Sequence, residues 1–295
     1  MQLYVTHVGG LGNGIGPASI ILALGQDVDL TIIEANIGGR EWGGYERRAG
    51  EYAQKAGLGS VKFVPAVVAA SEQDRDFYQN GDPRSSGLFP PNEMAKDFRR
   101  KGGSSDLVWG DATVAKSVDR VRTTTLDALL AEEKIDQPDV LSMDIQGGEL
   151  DAMIGAEKVL EGVTCVVAEM EFYEMYKGQG LAFDIAAVLD ALGFFYVGNA
   201  SQEQWYPSTC MLGRGVYAVC EAIFIKDYRL TNDFHQLIAL ALASNAFECH
   251  WSTLEAVGRA ETLFPDRAQR FLGGVSPASQ VLRKARTWIE AEMRK

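Results

Sequence analysis

Histidine is nearly absent from this 295-residue chain: only His7, His235 and His250 are present. A metal centre built on imidazoles is therefore hard to assemble. The four cysteines, Cys165, Cys210, Cys220 and Cys249, are far apart and form no Cys-x-x-Cys pair, which removes zinc-ribbon and thioredoxin-type readings. Free thiols in a reducing cytoplasm are the expected state. No apolar run approaches the length of a membrane span. The opening Met-Gln-Leu-Tyr-Val-Thr lacks the basic and apolar regions of a signal peptide. Positive charge is scarce too. The 28 Lys and Arg stand against 40 Asp and Glu, a formal charge of −12, which argues against a nucleic-acid partner. What remains is an ordinary globular composition, with room for one large α/β domain or a domain with an appendage.

The most informative stretch is Val140-Leu-Ser-Met-Asp144-Ile-Gln-Gly147-Gly-Glu149-Leu150-Asp-Ala-Met153-Ile154-Gly155. An apolar run ends in a carboxylate, turns on two glycines, and resumes with apolar residues at helical spacing. This is how a buried parallel strand hands over to a helix. In an open α/β sheet, residues just past such a strand lie over the ligand crevice. Asp144 is therefore either a site residue or a cap on the following helix.

The N-terminal part repeats the design. Leu3–Val8 reads as a strand running into Gly9-Gly10-Leu-Gly12-Asn-Gly14-Ile-Gly16-Pro17, and Pro17 suits a first helical turn. Ile20 to Leu24 carries the helix to Gly25, and Leu30–Ile33 is a second strand ending on Glu34. Such a βαβ unit holds a nucleotide-like ligand against bare backbone, while the acid accepts hydrogen bonds from ribose hydroxyls. Further along, a helix is expected over Trp42–Ala56 and strands over Val61–Ala70 and Asp76–Asn80. Gly81 to Asp111 is long and rich in Gly, Pro and Ser, as in a lid or a solvated insertion. A helix over Thr125–Glu133 precedes the Asp144 strand. After it come a helix through Leu160, a strand Val163–Ala168 followed by Glu169 and Glu171, a helix Phe183–Leu192, and strands Phe194–Val197 and Val216–Ile225. That makes seven strands, the last two a hairpin. The tail from Thr231 is helical over Phe234–Ala243, Thr253–Phe264 and Gln280–Arg294, with breaks at Pro265 and Gly273-Gly274. It is expected to pack on the sheet, and it also offers a surface for a homodimer.

Several of these pieces resemble the FkbM-type family of S-adenosylmethionine-dependent methyltransferases. Thr124-Thr-Leu-Asp127 precedes the Asp144 strand, and Leu141 to Leu150 looks like the family's Lys-Ile-Asp-Val-Gln-Gly-Ala-Glu signature, with Ser142 at the lysine position. Gly155-Ala156, Glu169 with Phe172 and Tyr173, and Leu192-Gly193-Phe194 follow in order. Val64-Pro-Ala66-Val67 and Ser85-Ser-Gly-Leu88 are similar to upstream elements. The resemblance spans roughly residues 1 to 226. One position departs from it: the family's first motif, Asp-x-Gly-Ala-Asn-x-Gly, has His7 where the acid stands.

The resemblance implies a Rossmann-like class I methyltransferase fold, with a seven-stranded, mostly parallel sheet and helices on both faces. It implies a methyltransferase domain over residues 1–230 and a helical extension over 231–295. The implied cofactor is S-adenosylmethionine, and the implied reaction is O-methylation of a sugar, glycan or other small natural-product acceptor. Gly9, Gly10 and Gly12 would lie under the cofactor with His7 beside them, Glu34 on its ribose, and Ala66 and Val67 near its adenine. Asp144 would face both cofactor and acceptor as base or positioning group. Glu169 and His7 are further catalytic candidates, and Glu149 and Glu171 are weaker ones. A nicotinamide-dependent oxidoreductase also fits a glycine loop with a ribose acid. The departure at His7 leaves a non-catalytic cofactor-binding protein as a third class.

Overall fold

The computed structural model of the chain describes residues 1–9, 18–35, 47, 50, 51, 53–101 and 106–295. The opening unit forms as its pattern predicts: β1 (Leu3–Gly9), α1 (Ala18–Leu24) and β2 (Val28–Glu34), with the two strands parallel from Leu3↔Val28 to Val8↔Ile33. Most residues of both strands are buried because both faces of the sheet are covered. The helix expected over Trp42–Ala56 lies largely outside the described residues; Arg47, Gly50, Glu51 and 53–56 are helical.

β3 (Ser60–Pro65) lies beyond β2 and is shorter than the expected Val61–Ala70. Past Pro65 the backbone finds other partners: Thr124 N–H donates to the Val67 carbonyl, and Ala69 N–H to that of Thr124. β4 (Asp74–Asn80) forms, yet outside the main sheet. After β5 (Arg99–Arg100), β6 (Leu107–Val108) and α2 (Trp109–Ala112) comes β7 (Ala115–Arg122), which pairs antiparallel with β4. β7 was not expected from the sequence. Its apolar residues, Ala115, Val118 and Val121, are three apart and mostly exposed, so no period of two marks it.

The second half supplies α3 (Leu126–Ala131), β8 (Val140–Asp144), α4 (Glu149–Ile154), α5 (Glu157–Gly162), β9 (Cys165–Glu171), α6 (Ala182–Ala191), β10 (Phe194–Trp205) and β11 (Val216–Lys226). The main sheet has seven strands in the order β10-β11-β9-β8-β1-β2-β3. Only β11 runs antiparallel to its neighbours. The fold is the expected Rossmann-like α/β arrangement, although β10 runs well past the expected end at Val197.

Strand alternation splits the core in two. Val8, Ile33, Leu141, Met143 and Val166 face one side, under α3 to α6. Leu3, Val5, Leu30, Ile32, Val140 and Val167 face the other side, where α1 meets the C-terminal helices. Those helices are α7 (Phe234–Ala246), α8 (His250–Leu263), α9 (Pro265–Leu272) and α10 (Pro277–Glu292). Pro265 both ends one helix and starts the next, where its missing N–H costs nothing. α7 is buried without a break from Leu237 to Ser244, as befits a helix apolar all round and enclosed on every side. Polar ties fix the layer. His235 Nε2 lies within 3.0 Å of the Asp139 carboxylate, which also accepts from Tyr4 N–H, and Ala278 N–H donates to Asp27 at 2.8 Å. Among the described residues no helix is long and apolar enough to cross a membrane.

Leu240 is fully buried in this layer. Leu240→Ala should cost about 2–5 kcal/mol of unfolding free energy in a denaturant titration. A loss below about 1 kcal/mol would mean that α7 is loosely docked.

Candidate active site

The strand order reverses between β1 and β8, and a crevice opens past the carboxyl ends of strands at such a point. The register carries this pairing to the last residue, Gly9 against Asp144. Gly9 has φ +94°, and a Cβ there would stand 1.9 Å from the Asp144 carbonyl oxygen. Only glycine fits. Glu34 is level with Gly9 on the other side, one residue past the Val8↔Ile33 pair. It is buried and accepts a hydrogen bond from Ala35 N–H at 2.8 Å. Ala66 N–H donates to the Glu34 carbonyl, and Val67 packs with Ala35, Leu88 and Phe89 in an apolar wall beside it. Gly10 and Gly12 lie outside the described residues.

Past Asp144 the chain turns through Gln146 (φ +58°) and Gly147 (φ +86°). The helix N-cap, Gly148, has no side chain to hold the turn. Glu149 does so instead. Its carboxylate is buried and accepts from Ile145 N–H at 2.6 Å. Burial pushes Glu149 up to about 7, with Asp144 adding to the rise, although the Ile145, Gly147 and Glu149 amides pull the other way. Its place in the turn is structural.

Gln146 lies at the centre of the polar contacts. Its Nε2 donates to Asp144 Oδ1 at 2.6 Å and to Glu169 Oε2 at 3.0 Å, while its Oε1 accepts from the Tyr176 hydroxyl at 2.5 Å. By strand alternation Asp144, Glu169 and Glu171 point to one side of the sheet. Glu221 of β11 is the register partner of Glu169. Burial, reinforced by Asp144 and Glu171, holds Glu169 well above the usual carboxylate range. Burial and Glu149 do the same for Glu171. Both glutamates thus join the Asp144 group.

His7 is buried one turn of the pleat behind Gly9, with Nδ1 3.0 Å from Ser142 Oγ. Burial lowers its pKa to about 4 even though the Asp144 charge opposes the shift. It is a neutral imidazole near pH 7.

The segment from Gly81 to Lys101 is a packed cover, not a solvated insertion. Asn92 N–H donates to the Met175 carbonyl and Lys177 N–H to that of Pro90. Trp109 meets Tyr176 and Trp205 edge-on at 5.1 and 5.6 Å. A Cβ on Gly87 would lie 3.3 Å from the Gln146 carbonyl, so the cover rests directly on the turn after β8.

With this geometry the comparison with known families is decisive. The family model described as the methyltransferase FkbM domain matches residues 17–196, more than half of the chain. The chain belongs to the FkbM methyltransferase family. It is an S-adenosylmethionine-dependent methyltransferase on that ground, and the nicotinamide reading falls away. No curated protein and no solved structure matches it. The matched span is narrower than residues 1 to 226: it begins after the glycine loop and stops within β10, leaving β11 and the C-terminal helices outside.

Of the residues singled out in the sequence, the fold of this FkbM-family chain sets Gly9, Asp144 and Glu169 level with one another on three adjacent strands. Glu34, Ala66 and Val67 are placed one and two strands away, and His7 below them. Sequence reasoning missed Gln146, Tyr176 and Glu221. Gln146 left a signal, as a long polar residue between strand and glycine turn. The other two arrive through contacts distant in sequence and left none.

The His7 shift has a stability consequence. The folded value near 4 lies below the ordinary 6.5, so the unfolded chain binds the proton first as pH falls. Stability from this group is complete above pH 6.5 and declines toward pH 4, by about 3 kcal/mol in all. His7→Gln should flatten that acid limb in urea titrations at stepped pH. A variant that tracks the wild type between pH 6.5 and 4 would contradict the burial of His7.

Proposed function

We propose that this FkbM-family protein methylates a hydroxyl oxygen of a sugar, a glycan or another small natural product, with Asp144 taking the hydroxyl proton. One observation carries the reading: Asp144 stands at the strand-order reversal, paired with Gly9, its carboxylate gripped by Gln146 at 2.6 Å. A hydroxyl is a poor nucleophile until a base relieves it of its proton, and a carboxylate at the crevice is suited to that step.

The residues present fit the cofactor. Gly9 leaves bare backbone at the crevice, and Glu34 offers a buried carboxylate at the same level one strand away. When bound, S-adenosylmethionine supplies a methyl carbon on a sulfonium sulfur. Gly9, with Gly10 and Gly12, would hold its amino-acid end, Glu34 its ribose hydroxyls, and Ala66 and Val67 the adenine. Burial and the neighbouring Asp144 hold Glu169 well above the usual carboxylate range. The cover over Gly81–Lys101 excludes water, and orientation of the acceptor supplies much of the rate. Residues 1–230 carry this machinery in the proposal, with 231–295 as a helical extension. Self-association through that extension belongs to the same proposal, since Trp251 and Trp288 stand about half exposed there.

A carboxylate on two ribose hydroxyls makes charge-assisted hydrogen bonds worth about 1.5–3 kcal/mol each. Glu34→Ala should weaken adenosylhomocysteine binding in calorimetry by about tenfold or more, with the fold intact. Wild-type affinity in a folded variant would remove Glu34 from the site.

Asp144→Asn keeps size and loses proton acceptance. Turnover of a hydroxylated acceptor should fall about 10²–10⁴-fold, with cofactor affinity little changed. Full turnover in the folded variant would refute the assignment of the base.

A further inference from the structure

We propose that Gln146 is the positioning residue of this site: its side-chain amide clamps Asp144 and Glu169 together and, through Tyr176, fastens that pair to the cover. The inference rests on the reading of Asp144 as the reacting carboxylate.

The clamp is complete on every side. The two amide protons serve the two carboxylates, at 2.6 and 3.0 Å, and the amide oxygen takes the Tyr176 hydroxyl at 2.5 Å. Turned the other way, the amide would set its oxygen against both carboxyl groups, so the network fixes its orientation. The backbone at Gln146 has φ +58°, a conformation disfavoured for any residue with a side chain. Gln146 is held there between the cover and Tyr176. A Cβ on Gly87 would lie 3.3 Å from its carbonyl, and one on Gly147 would lie 3.1 Å from the Tyr176 ring. Tyr176 is buried, and its hydroxyl also lies 3.2 Å from the Ser85 carbonyl in the cover.

The surroundings of Glu169 explain why a clamp is needed. Asp144 faces it from β8, Glu149 from α4, Glu171 from its own strand and Tyr176 from the loop beyond, with Glu221 opposite on β11. His7 of β1 lies on the far side of Asp144. Two ionised carboxylates would drive each other apart here. A common neutral donor, the Gln146 amide, holds them together. Glutamate at 146 would lack the donor and add a further charge. Gln146 sets the position of the carboxylate that the proposed reaction uses and acts through that carboxylate.

Coupling between the two carboxyl groups measures the clamp directly. The titration of Glu169 is followed by carboxyl-carbon NMR in the ligand-free full-length protein, assigned with Glu169→Gln. Asp144→Asn should shift that titration, because it removes the charge opposite. In the Gln146→Gly background the same shift should shrink by about half or more. Gln146→Gly gives the left-handed backbone its favoured residue, so the fold should persist. Should it fail, Gln146→Asn keeps an amide that falls one methylene short and is read the same way. An undiminished Asp144→Asn shift in either folded variant overturns the inference. Full turnover by Asp144→Asn in an otherwise wild-type chain would sink the assignment of the base instead, and would leave the coupling result standing.

Discussion

The contact between Gly9 and the Asp144 carbonyl is the constraint on which the site depends. Parallel pairing of β1 and β8 persists to their last residues, and no side chain can enter at position 9. Because the two strands end together, the glycine turn of one unit and the carboxylate of the other open onto the same crevice. The turn after β8 then has to leave the sheet abruptly, which is why Gln146 and Gly147 both take positive φ. Glu149 makes that turn stable by folding its carboxylate back onto the amides it exposes. Remove the close approach at Gly9 and none of the later geometry has a reason to form.

The second constraint is charge. Asp144 lies within electrostatic reach of Glu149, Glu169, Glu171 and Glu221. Burying so many ionised carboxylates would be prohibitive unless they are paired or neutralised. Burial shifts Glu149, Glu169 and Glu171 toward their neutral forms. His7 does not serve as a counter-charge. Its desolvation outweighs the attraction of Asp144, and it stays neutral. The histidine in place of the family's usual acid therefore spares the crevice one more carboxylate.

Legibility in the sequence followed how local each feature is. β1, β2, β8 and β9 announce themselves as apolar runs, and Glu34 and Asp144 as the acids that end two of them. Boundaries were less secure. β3 stops at Pro65 because its next residues pair with Thr124, a partner about sixty positions away by sequence. β7 carries no alternation because little of it is buried. The cover over Gly81–Lys101 looked polar and loose, since Phe98, Trp109, Met175 and Tyr176 form a cluster only once the fold brings them together. Tyr176 and Glu221 were hidden for the same reason.

That cluster also shows how the chain departs from a bare family domain. Trp109, Met175 and Tyr176 lie inside the span matched to the FkbM methyltransferase domain, whereas Trp205 and Ala218, which complete the cluster, lie beyond it. The hairpin of β10 and β11 thus braces the cover from outside the matched span. Trp109 stands between Tyr176 and Trp205, each edge-on to it. Tyr176 in turn holds Gln146, and Gln146 holds Asp144 and Glu169. A rigid line of contacts therefore runs from the hairpin to the carboxylate pair. Edge-on aromatic packing resists small displacements, and the hydrogen bonds along the line run from 2.5 to 3.0 Å. The position of Asp144 depends in this way on the hairpin as well as on the strand ends.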